Sequence, residues 1–264
     1  MIKISSKGLI FFIFLFALTI RLIYLNQIKT SPFFENLIVD ADFYDKWAQD
    51  IAKEDILGRG VFFMPPLYAY FLAAIYKLFG RSIYIAVIIQ MLLGSLTCVM
   101  IYLLGKRLFN SVVGFLAAII QATYGVIIFY EAQILRPTLE IFLTCLFLLL
   151  LSGTGPKLLF SGLCLGLLIL LRENALLCIP FLVGGVIFAK NLKTRLVPVV
   201  AFLLGVSCVL IPVTLRNYVK GKDFVLVTYG GGQNFFIGNN PKAKGSYIAL
   251  LLGRQSPEVE ARDA

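Results

Sequence analysis

The sequence contains no histidine, and only 14 % of its 264 residues are charged. Soluble domains carry about 25 % charged residues, so this deficit excludes an ordinary soluble fold. Together with 59 % hydrophobic residues and a mean hydropathy of +0.90, it indicates an integral membrane protein. The net charge is +10. Because many of the basic residues lie in short segments between apolar runs, membrane orientation and lipid phosphates account for them, and no nucleic-acid partner is expected.

The cysteines also lack the paired spacing of a disulfide framework or a metal site. All five lie inside apolar runs, where they are predicted to be small buried hydrophobes: Cys98, Cys145, Cys164, Cys178 and Cys208. With no histidine and no paired cysteines, a metal ion such as a divalent cation would need oxygen ligands from Asp, Glu or Asn. The sequence leaves open whether any metal is used.

Long apolar runs, by contrast, are abundant, and a bilayer core of ~30 Å needs about 20 apolar residues per helix. The runs are Gly8–Leu25, Tyr84–Gly105, Val112–Tyr130, Leu135–Leu151, Leu158–Ala189 and Leu196–Leu215. One helix over Leu158–Ala189 would be too long and would place Arg172 at the bilayer centre, so we predict two short helices with a turn at Arg172–Asn174. The fold class is therefore all-α, a polytopic membrane protein with about seven transmembrane helices.

Two regions are predicted: a membrane-embedded module at 1–217, and an extracytoplasmic Gly/Asn-rich loop with a polar tail at 218–264. Within the first, the outer loop at about 26–83 contains apolar residues at helical spacing over Asp45–Ile56, followed by a short apolar helix after Pro65–Pro66. Both indicate interfacial helices. Lysine and arginine concentrate in alternate loops, which places those loops and the N-terminus in the cytoplasm of a multi-pass protein of the cell (plasma or inner) membrane.

Acidic residues at the edges of the apolar runs are the first candidates for chemistry. Asp40 and Asp42 follow the first run and could project from a loop into a cavity, or form a solvated acidic surface. Arg136 and Glu140 are four residues apart, so they could pair at a helix end, or serve a phosphate and a metal or sugar. Glu131 lies just before this stretch and belongs to the same group of candidates.

Four arginines lie at the predicted outer ends of the runs: Arg21, Arg136, Arg172 and Arg216. Snorkelling towards lipid head groups explains any one of them. Four arginines at the same depth on one face indicate a site for an anionic head group better than chance placement does. The stretch Tyr229–Pro241 adds glycines that let backbone N–H groups approach an anion, and the amides of Asn234, Asn239 and Asn240 suit sugar hydroxyls.

At these residues the chain resembles the GT-C superfamily of polytopic glycosyltransferases, and within it the protein O-mannosyltransferase and aminoarabinose-transferase branch, family 39. The matching pieces are Asp40-Ala41-x-x-Tyr44, Pro65-Pro66-Leu67-Tyr68, Leu78-Phe79-Gly80, Leu135-Arg136-Pro137, Leu171-Arg172-Glu173-Asn174 and the Gly231–Pro241 stretch. They cover nearly the whole chain, and their order makes the resemblance specific. Members have a second block of membrane helices, so we expect this chain to be an N-terminal fragment.

The resemblance implies inverting transfer of a sugar from a polyprenyl-phosphate donor to a hydroxyl or amine of a protein, lipid or glycan at the extracytoplasmic face. Asp40 would then be the catalytic base, with Asp42, Glu131 and Glu140 as supporting acids. Either Glu131 or Glu140 would be the second acidic site residue, and the resemblance fits both equally. Arg136 and Arg172 would bind the carrier phosphate, and Tyr44 with the three asparagines would contact the sugar or acceptor. Two alternatives are a transporter or flippase of lipid-linked or anionic solutes, and an inactive truncated membrane scaffold.

Overall fold

The protein is an all-α membrane protein. Its computed structural model describes residues 6–53, 55–58, 60–152, 156–187, 192–241, 243 and 245, and this part contains helices and no strand. The helices, in chain order, are α1 Ser6–Ile28, α2 Asp40–Ala52, α3 Leu67–Phe79, α4 Ile83–Leu108, α5 Ser111–Thr123, α6 Gly125–Glu131, α7 Pro137–Leu151, α8 Lys157–Ile169, α9 Cys178–Ile187, α10 Leu192–Gly221 and α11 Gly231–Asn239.

Within the described ranges, three helical stretches are long and apolar enough to cross a membrane: Lys7–Ile28, Ile83–Leu108 and Leu196–Gly221. A fourth would be the pair α5 and α6, which the sequence predicted as one span but which bends by 57° at Tyr124. The remaining apolar helices, such as α7 and α8, have 15 and 13 residues. The predicted runs are therefore helical, while the total of seven spans stays a prediction.

The predicted interruption at Arg172 is confirmed. Helix α8 ends at Ile169, Arg172 has an extended backbone (φ −151°, ψ 102°), and a 3₁₀ turn over Glu173–Leu177 leads into α9. The Arg172 N–H still donates to the Leu168 carbonyl oxygen at 2.8 Å, so the helix closes before the chain turns. The polar Arg-Glu-Asn sequence thus falls between two short apolar helices rather than inside one long helix.

The chain divides into two compact units, and the first comprises the described residues within Met1–Asn36 and Ser82–Val209. Helix α4 is its centre and packs against α1, α5 and α7, while α7 packs against α8. Small side chains let three helices meet closely, because Ala17 of α1 and Ala118 and Ala122 of α5 are fully buried against Cys98 and Tyr102 of α4.

Glycines bring two helix pairs of this unit into backbone contact. A Cβ at Gly105 of α4 would lie 2.6 Å from the Cα of Gly114 in α5. A Cβ at Gly162 of α8 would overlap the Phe202 carbonyl oxygen of α10, and one at Gly205 would overlap the Leu159 carbonyl oxygen. Such close approach gives helix pairs in membranes their packing energy, because the apolar lipid supplies no hydrophobic drive between helices.

The second unit comprises the described residues within Leu37–Arg81 and Leu210–Ala264, and α2 packs against α3 in it. Helix α2 begins at Asp40, five residues before the predicted helix at Asp45. The predicted helices of the first outer loop are thus present, and their interfacial position stays a prediction. The Gly-rich stretch predicted as a loop is helix α11, while most of the predicted polar tail, residues 242, 244 and 246–264, lies outside the described residues.

Replacing Gly205 by Ala should destabilise the first unit by about 1–3 kcal/mol, because the new methyl group meets backbone atoms of α8 that are unable to move aside independently. Thermal unfolding of the purified protein in detergent measures the loss. The matched control is Gly184→Ala in α9, where a Cβ would meet no described atom within 4 Å. Equal unfolding temperatures for the two variants would contradict the close α8–α10 contact.

Candidate functional site

Three of the predicted site residues of the first unit come together where α7 begins and α8 ends. Arg172 Nη1 donates to Glu140 Oε2 at 3.2 Å, and Arg136 Nε lies 3.9 Å from Glu140 Oε1. Arg136 Nη1 also donates to the carbonyl oxygen of Leu171 at 2.9 Å. We refer to Arg136, Glu140 and Arg172 as the Arg–Glu–Arg cluster. The sequence predicted the Arg136–Glu140 pair from its spacing, whereas the tertiary contact with Arg172 has no local signal.

The Arg–Glu–Arg cluster has one cation more than it has anions. The Glu140 side chain is 14 % exposed and that of Arg136 24 %, whereas that of Arg172 is 59 % exposed. Glu140 Oε1 is buried and has no hydrogen-bond partner among the described residues. Two guanidinium groups facing one carboxylate carry a net positive charge, and guanidinium groups bind phosphate oxygens in a geometry that a single ammonium group lacks.

Glu131, the alternative acidic candidate, is part of a separate buried ion pair. Its Oε2 and Oε1 accept hydrogen bonds from Arg21 Nε at 2.6 Å and Arg21 Nη2 at 2.8 Å, and the two side chains are 2 % and 0 % exposed. A Cβ at Gly94 would overlap the Glu131 carboxylate, so α4 accommodates it only because that residue is glycine. The expectation that Arg21 faces an anionic head group is wrong, because its charge is neutralised inside the protein.

In the second unit, Asp40 is the first residue of α2 rather than part of a loop. The preceding Val39 has φ 51° and ψ −119°, close to the first central residue of a type II′ turn, and the Ala41 N–H donates to the Ile38 carbonyl oxygen at 3.2 Å to close that turn. A positive φ is strained for a β-branched residue. The turn places Asp40 in the first turn of α2, where the helix N-terminus favours negative charge.

The other two carboxylates in the first two turns of α2, those of Asp42 and Asp45, are paired with cations. Asp42 Oδ2 accepts from Lys46 Nζ at 2.6 Å on the same helix. Asp45, which is 3 % exposed, accepts from Arg81 Nη2 at 2.8 Å and from the Tyr76 hydroxyl at 2.6 Å. Burial and the hydrogen bond to Asp45 raise the pKa of Tyr76, so the phenol stays protonated and donates. By contrast, the Asp40 carboxylate makes no hydrogen bond or ion pair with any residue in the described ranges.

Tyr44, the predicted aromatic contact for the sugar or acceptor, is fully buried in the second unit. Its hydroxyl donates to the carbonyl oxygen of Pro65 at 3.3 Å, and its ring stands edge-on to Tyr68 with centroids 5.1 Å apart. The Trp47 ring is stacked with the Tyr44 ring, with centroids 6.2 Å apart. Tyr44 is therefore a packing residue between α2 and α3, and its contact with a substrate stays a prediction.

Arg216 and Asn217 join two segments of the second unit that are distant in sequence. The Arg216 guanidinium lies 3.7 Å from the centroid of the Phe62 ring, and its Nε donates to the Leu57 carbonyl oxygen at 2.7 Å. Asn217 is fully buried, donates to the Val227 carbonyl oxygen at 2.8 Å and accepts from the Phe62 N–H at 3.4 Å. Asn217 is not among the predicted site residues, although an amide at the end of an apolar run is a detectable signal.

The asparagines predicted to contact a sugar belong to α11. Asn239 Nδ2 donates to the Phe235 carbonyl oxygen at 2.8 Å, and Asn240 Nδ2 donates to that of Phe236 at 3.0 Å. Both amide groups therefore close the C-terminal end of their own helix. The backbone of Asn234 is in α11, while its side chain lies outside the described part. Sugar contacts by all three residues stay predictions.

A metal site has no obvious donor set in the part of the chain that the structure describes. No three His, Cys, Asp or Glu side chains lie close enough together there to hold a metal ion. The carboxylates of Glu131, Glu140 and Asp45 are each engaged by an arginine, and that of Asp42 is engaged by Lys46.

The family model described as dolichyl-phosphate-mannose-protein mannosyltransferase matches residues 64–215, more than half of the chain. The chain belongs to this family. It is therefore a multi-pass membrane glycosyltransferase of the GT-C type, and the resemblance to the GT-C superfamily is confirmed. No curated protein and no solved structure matches the chain.

The mannosyltransferase-family match includes the whole Arg–Glu–Arg cluster and Glu131, and it begins after Asp40, Asp42 and Tyr44. It also ends before α11. Membership therefore supports glycosyl transfer for the module that holds the arginines. The roles of Asp40 and of the asparagines rest on their own geometry and on the resemblance.

Replacing Glu131 by Gln should lower the free energy of unfolding of this glycosyltransferase by about 3–5 kcal/mol, because it leaves the buried Arg21 charge uncompensated. Thermal unfolding in detergent tests this, with Glu35→Gln as the control, since Glu35 is an exposed residue of the same unit. The double variant Arg21→Met with Glu131→Met should unfold at a higher temperature than Glu131→Gln alone. A Glu131→Gln protein as stable as the control would contradict the buried pair.

Proposed function

We propose that this protein transfers a sugar from a polyprenyl-phosphate-linked donor to an acceptor hydroxyl or amine, with inversion at the anomeric carbon, at the extracytoplasmic face of the cell membrane. Its N-terminus then lies in the cytoplasm, and the acceptor is a protein, a lipid or a glycan. The observation that carries the proposal is the Arg–Glu–Arg cluster within the family-matched range of a GT-C glycosyltransferase.

The Arg–Glu–Arg cluster suits the leaving group of this reaction. When the bond between the anomeric carbon and the phosphate oxygen breaks, the bonding electrons leave with the lipid phosphate, and its negative charge must be stabilised. Fixed cations near a low-dielectric boundary stabilise such a charge without reorganising. Arg136, which Leu171 holds through a 2.9 Å hydrogen bond, and Arg172, which is largely exposed, are assigned to the phosphate.

Asp40 is assigned as the base. It would remove the proton from the acceptor hydroxyl or amine while that oxygen or nitrogen forms the new bond to the anomeric carbon. Support comes from the three carboxylates in the first two turns of α2: Lys46 neutralises Asp42 and Arg81 neutralises Asp45, whereas Asp40 has no partner within the described residues. Because Asp42, Glu131 and Glu140 are each engaged by a cation, their supporting roles are electrostatic or structural.

Replacing Asp40 by Asn should reduce sugar transfer by about 10²-fold or more, since a general base contributes that much to a rate. The measurement is transfer from a polyprenyl-phosphate sugar in proteoliposomes that contain the full chain. Asp50→Asn is the matched control, because Asp50 is an exposed carboxylate on the same helix. Undiminished transfer by Asp40→Asn would remove Asp40 from the role of base.

The same proteoliposomes separate the alternative functions. Movement of the lipid-linked sugar across the bilayer without transfer to an acceptor would identify a flippase. Binding of the carrier with neither transfer nor movement would identify an inactive scaffold. Both results would overturn the proposed reaction.

The proposed face of the membrane is tested by labelling. Asp40→Cys and Arg172→Cys, each introduced into a chain whose native cysteines are replaced by Ala, should react with a membrane-impermeant thiol reagent added from the extracytoplasmic side. Lys106→Cys, in the last turn of α4, is predicted to be cytoplasmic and should stay unlabelled until the membrane is permeabilised. Labelling of positions 40 and 172 from opposite sides would rule out a shared reaction.

A further inference from the structure

Glu140 is held by two arginines that differ in how firmly the protein fixes them. Arg136 is 24 % exposed and is fixed by the Leu171 carbonyl oxygen. Arg172 is 59 % exposed, and its one side-chain bond among the described residues is the 3.2 Å contact with Glu140 Oε2. A backbone carbonyl oxygen thus fixes Arg136, whereas, within the described residues, a carboxylate alone holds the guanidinium group of Arg172.

Resting on the proposed function, we propose that Glu140 is the resident counter-anion of the phosphate site. In the free enzyme its carboxylate holds Arg172. When the lipid-linked donor binds, the phosphodiester replaces Glu140 as the partner of the Arg172 guanidinium, and Glu140 keeps its interaction with Arg136. Glu140 is then a positioning residue that also competes with the donor, and this competition sets how tightly the carrier phosphate is bound.

The contacts of Glu140 favour exchange over a permanent ion pair. Its Oε1 has no hydrogen-bond partner among the described residues and lies 3.9 Å from Arg136 Nε, which is within reach of a small side-chain rotation. When the carboxylate loses its hydrogen bond from Arg172, it can therefore form one with Arg136 instead. The Arg172 side of the pair is exposed to solvent. Because an exposed ion pair changes an equilibrium by about fivefold at most, a bound phosphodiester can replace Glu140 there.

The turn that carries Arg172 does not depend on Glu140 for its shape. The Arg172 N–H donates to the Leu168 carbonyl oxygen at 2.8 Å, and its own carbonyl oxygen accepts from the Ala175 N–H at 3.0 Å. The hydrogen bond from Arg136 to Leu171 and the packing of α7 on α8 hold the same turn. Removal of the Glu140 charge should therefore free the Arg172 guanidinium while leaving its backbone in place.

The test is the dissociation constant of the full chain, in nanodiscs of neutral lipid, for a short-chain polyprenyl phosphate, with the polyprenol of equal length as the uncharged probe. Glu140→Gln should lower the Kd for the phosphate about three- to fivefold and leave that for the polyprenol unchanged, because only the anionic probe competes with the carboxylate. Glu35→Gln removes the same charge from an exposed position of the same unit and should change neither value.

Two further variants test the role of Arg172 and the effect of the Glu140 side-chain length. Arg172→Gln should weaken binding of the phosphate by about tenfold, as loss of a hydrogen bond to a charged group does. Glu140→Asp keeps the charge but shortens the side chain by one methylene, so it should lower the Kd by about twofold. It serves as the probe if Glu140→Gln proves unstable.

The outcomes separate the two proposals. Weaker or unchanged phosphate binding by the folded Glu140 variants, with a large loss in Arg172→Gln, would refute the counter-anion and leave the phosphate site standing. Equal loss of phosphate and polyprenol binding in Glu140→Gln would make Glu140 a structural residue and would also refute the counter-anion. Wild-type affinity in Arg172→Gln would overturn the phosphate role of Arg172 and, with it, the proposal that rests on it.

Discussion

An ionised side chain in an apolar environment needs a partner, and the Arg21–Glu131 pair shows how far this requirement shapes the first unit. A charge at the centre of a bilayer costs roughly 2.5–3.5 kcal/mol even by the lowest scales. Arg21 belongs to an apolar helix and has no exposed surface, so Glu131 must meet it with both carboxylate oxygens. Glu131 is the last residue of α6, and the bidentate contact therefore fixes the end of the bent α5–α6 pair against α1, while Gly94 leaves the space on α4.

The same rule distinguishes structural charges from charges that are available to a substrate. Charges that the protein satisfies completely, such as Glu131 and Asp45, are nearly inaccessible and hold helices together. Asp40 and Arg172 are different, because the first has no partner in the described ranges and the second has a largely exposed guanidinium group. A residue that must contact a transient ligand has to remain incompletely satisfied in the free protein. Incomplete pairing, rather than burial alone, is therefore the property that marks these two residues.

The helices that cross the membrane follow from the sequence because run length and hydropathy are local properties. The break at Arg172 also follows, since one helix of that length would have placed a charge in hydrocarbon. Other features depend on partners far along the chain. Arg21 and Glu131 are 110 residues apart, and nothing near either residue specifies the pairing. The start of α2 is not predictable from the sequence, because its turn places the β-branched Val39 at positive φ. Helix α11 is not predictable either, because its glycines favour loops, whereas the side chains of Asn239 and Asn240 stabilise the end of a helix.

Charge balance in the Arg–Glu–Arg cluster links the fold to the proposed reaction. A site with two unpaired guanidinium groups would be costly to keep at a membrane boundary, and a site with one carboxylate for each arginine would have no attraction for a phosphate. One carboxylate shared by two arginines avoids both extremes. It offsets the charge of one guanidinium group in the free protein, and the three side chains together keep a net positive charge. In the proposed reaction, the donor phosphodiester carries one negative charge, so its binding would bring the cluster to neutrality. When the glycosidic bond broke, the departing phosphate would gain charge beside cations that are already in position, which is the condition for electrostatic stabilisation of a transition state.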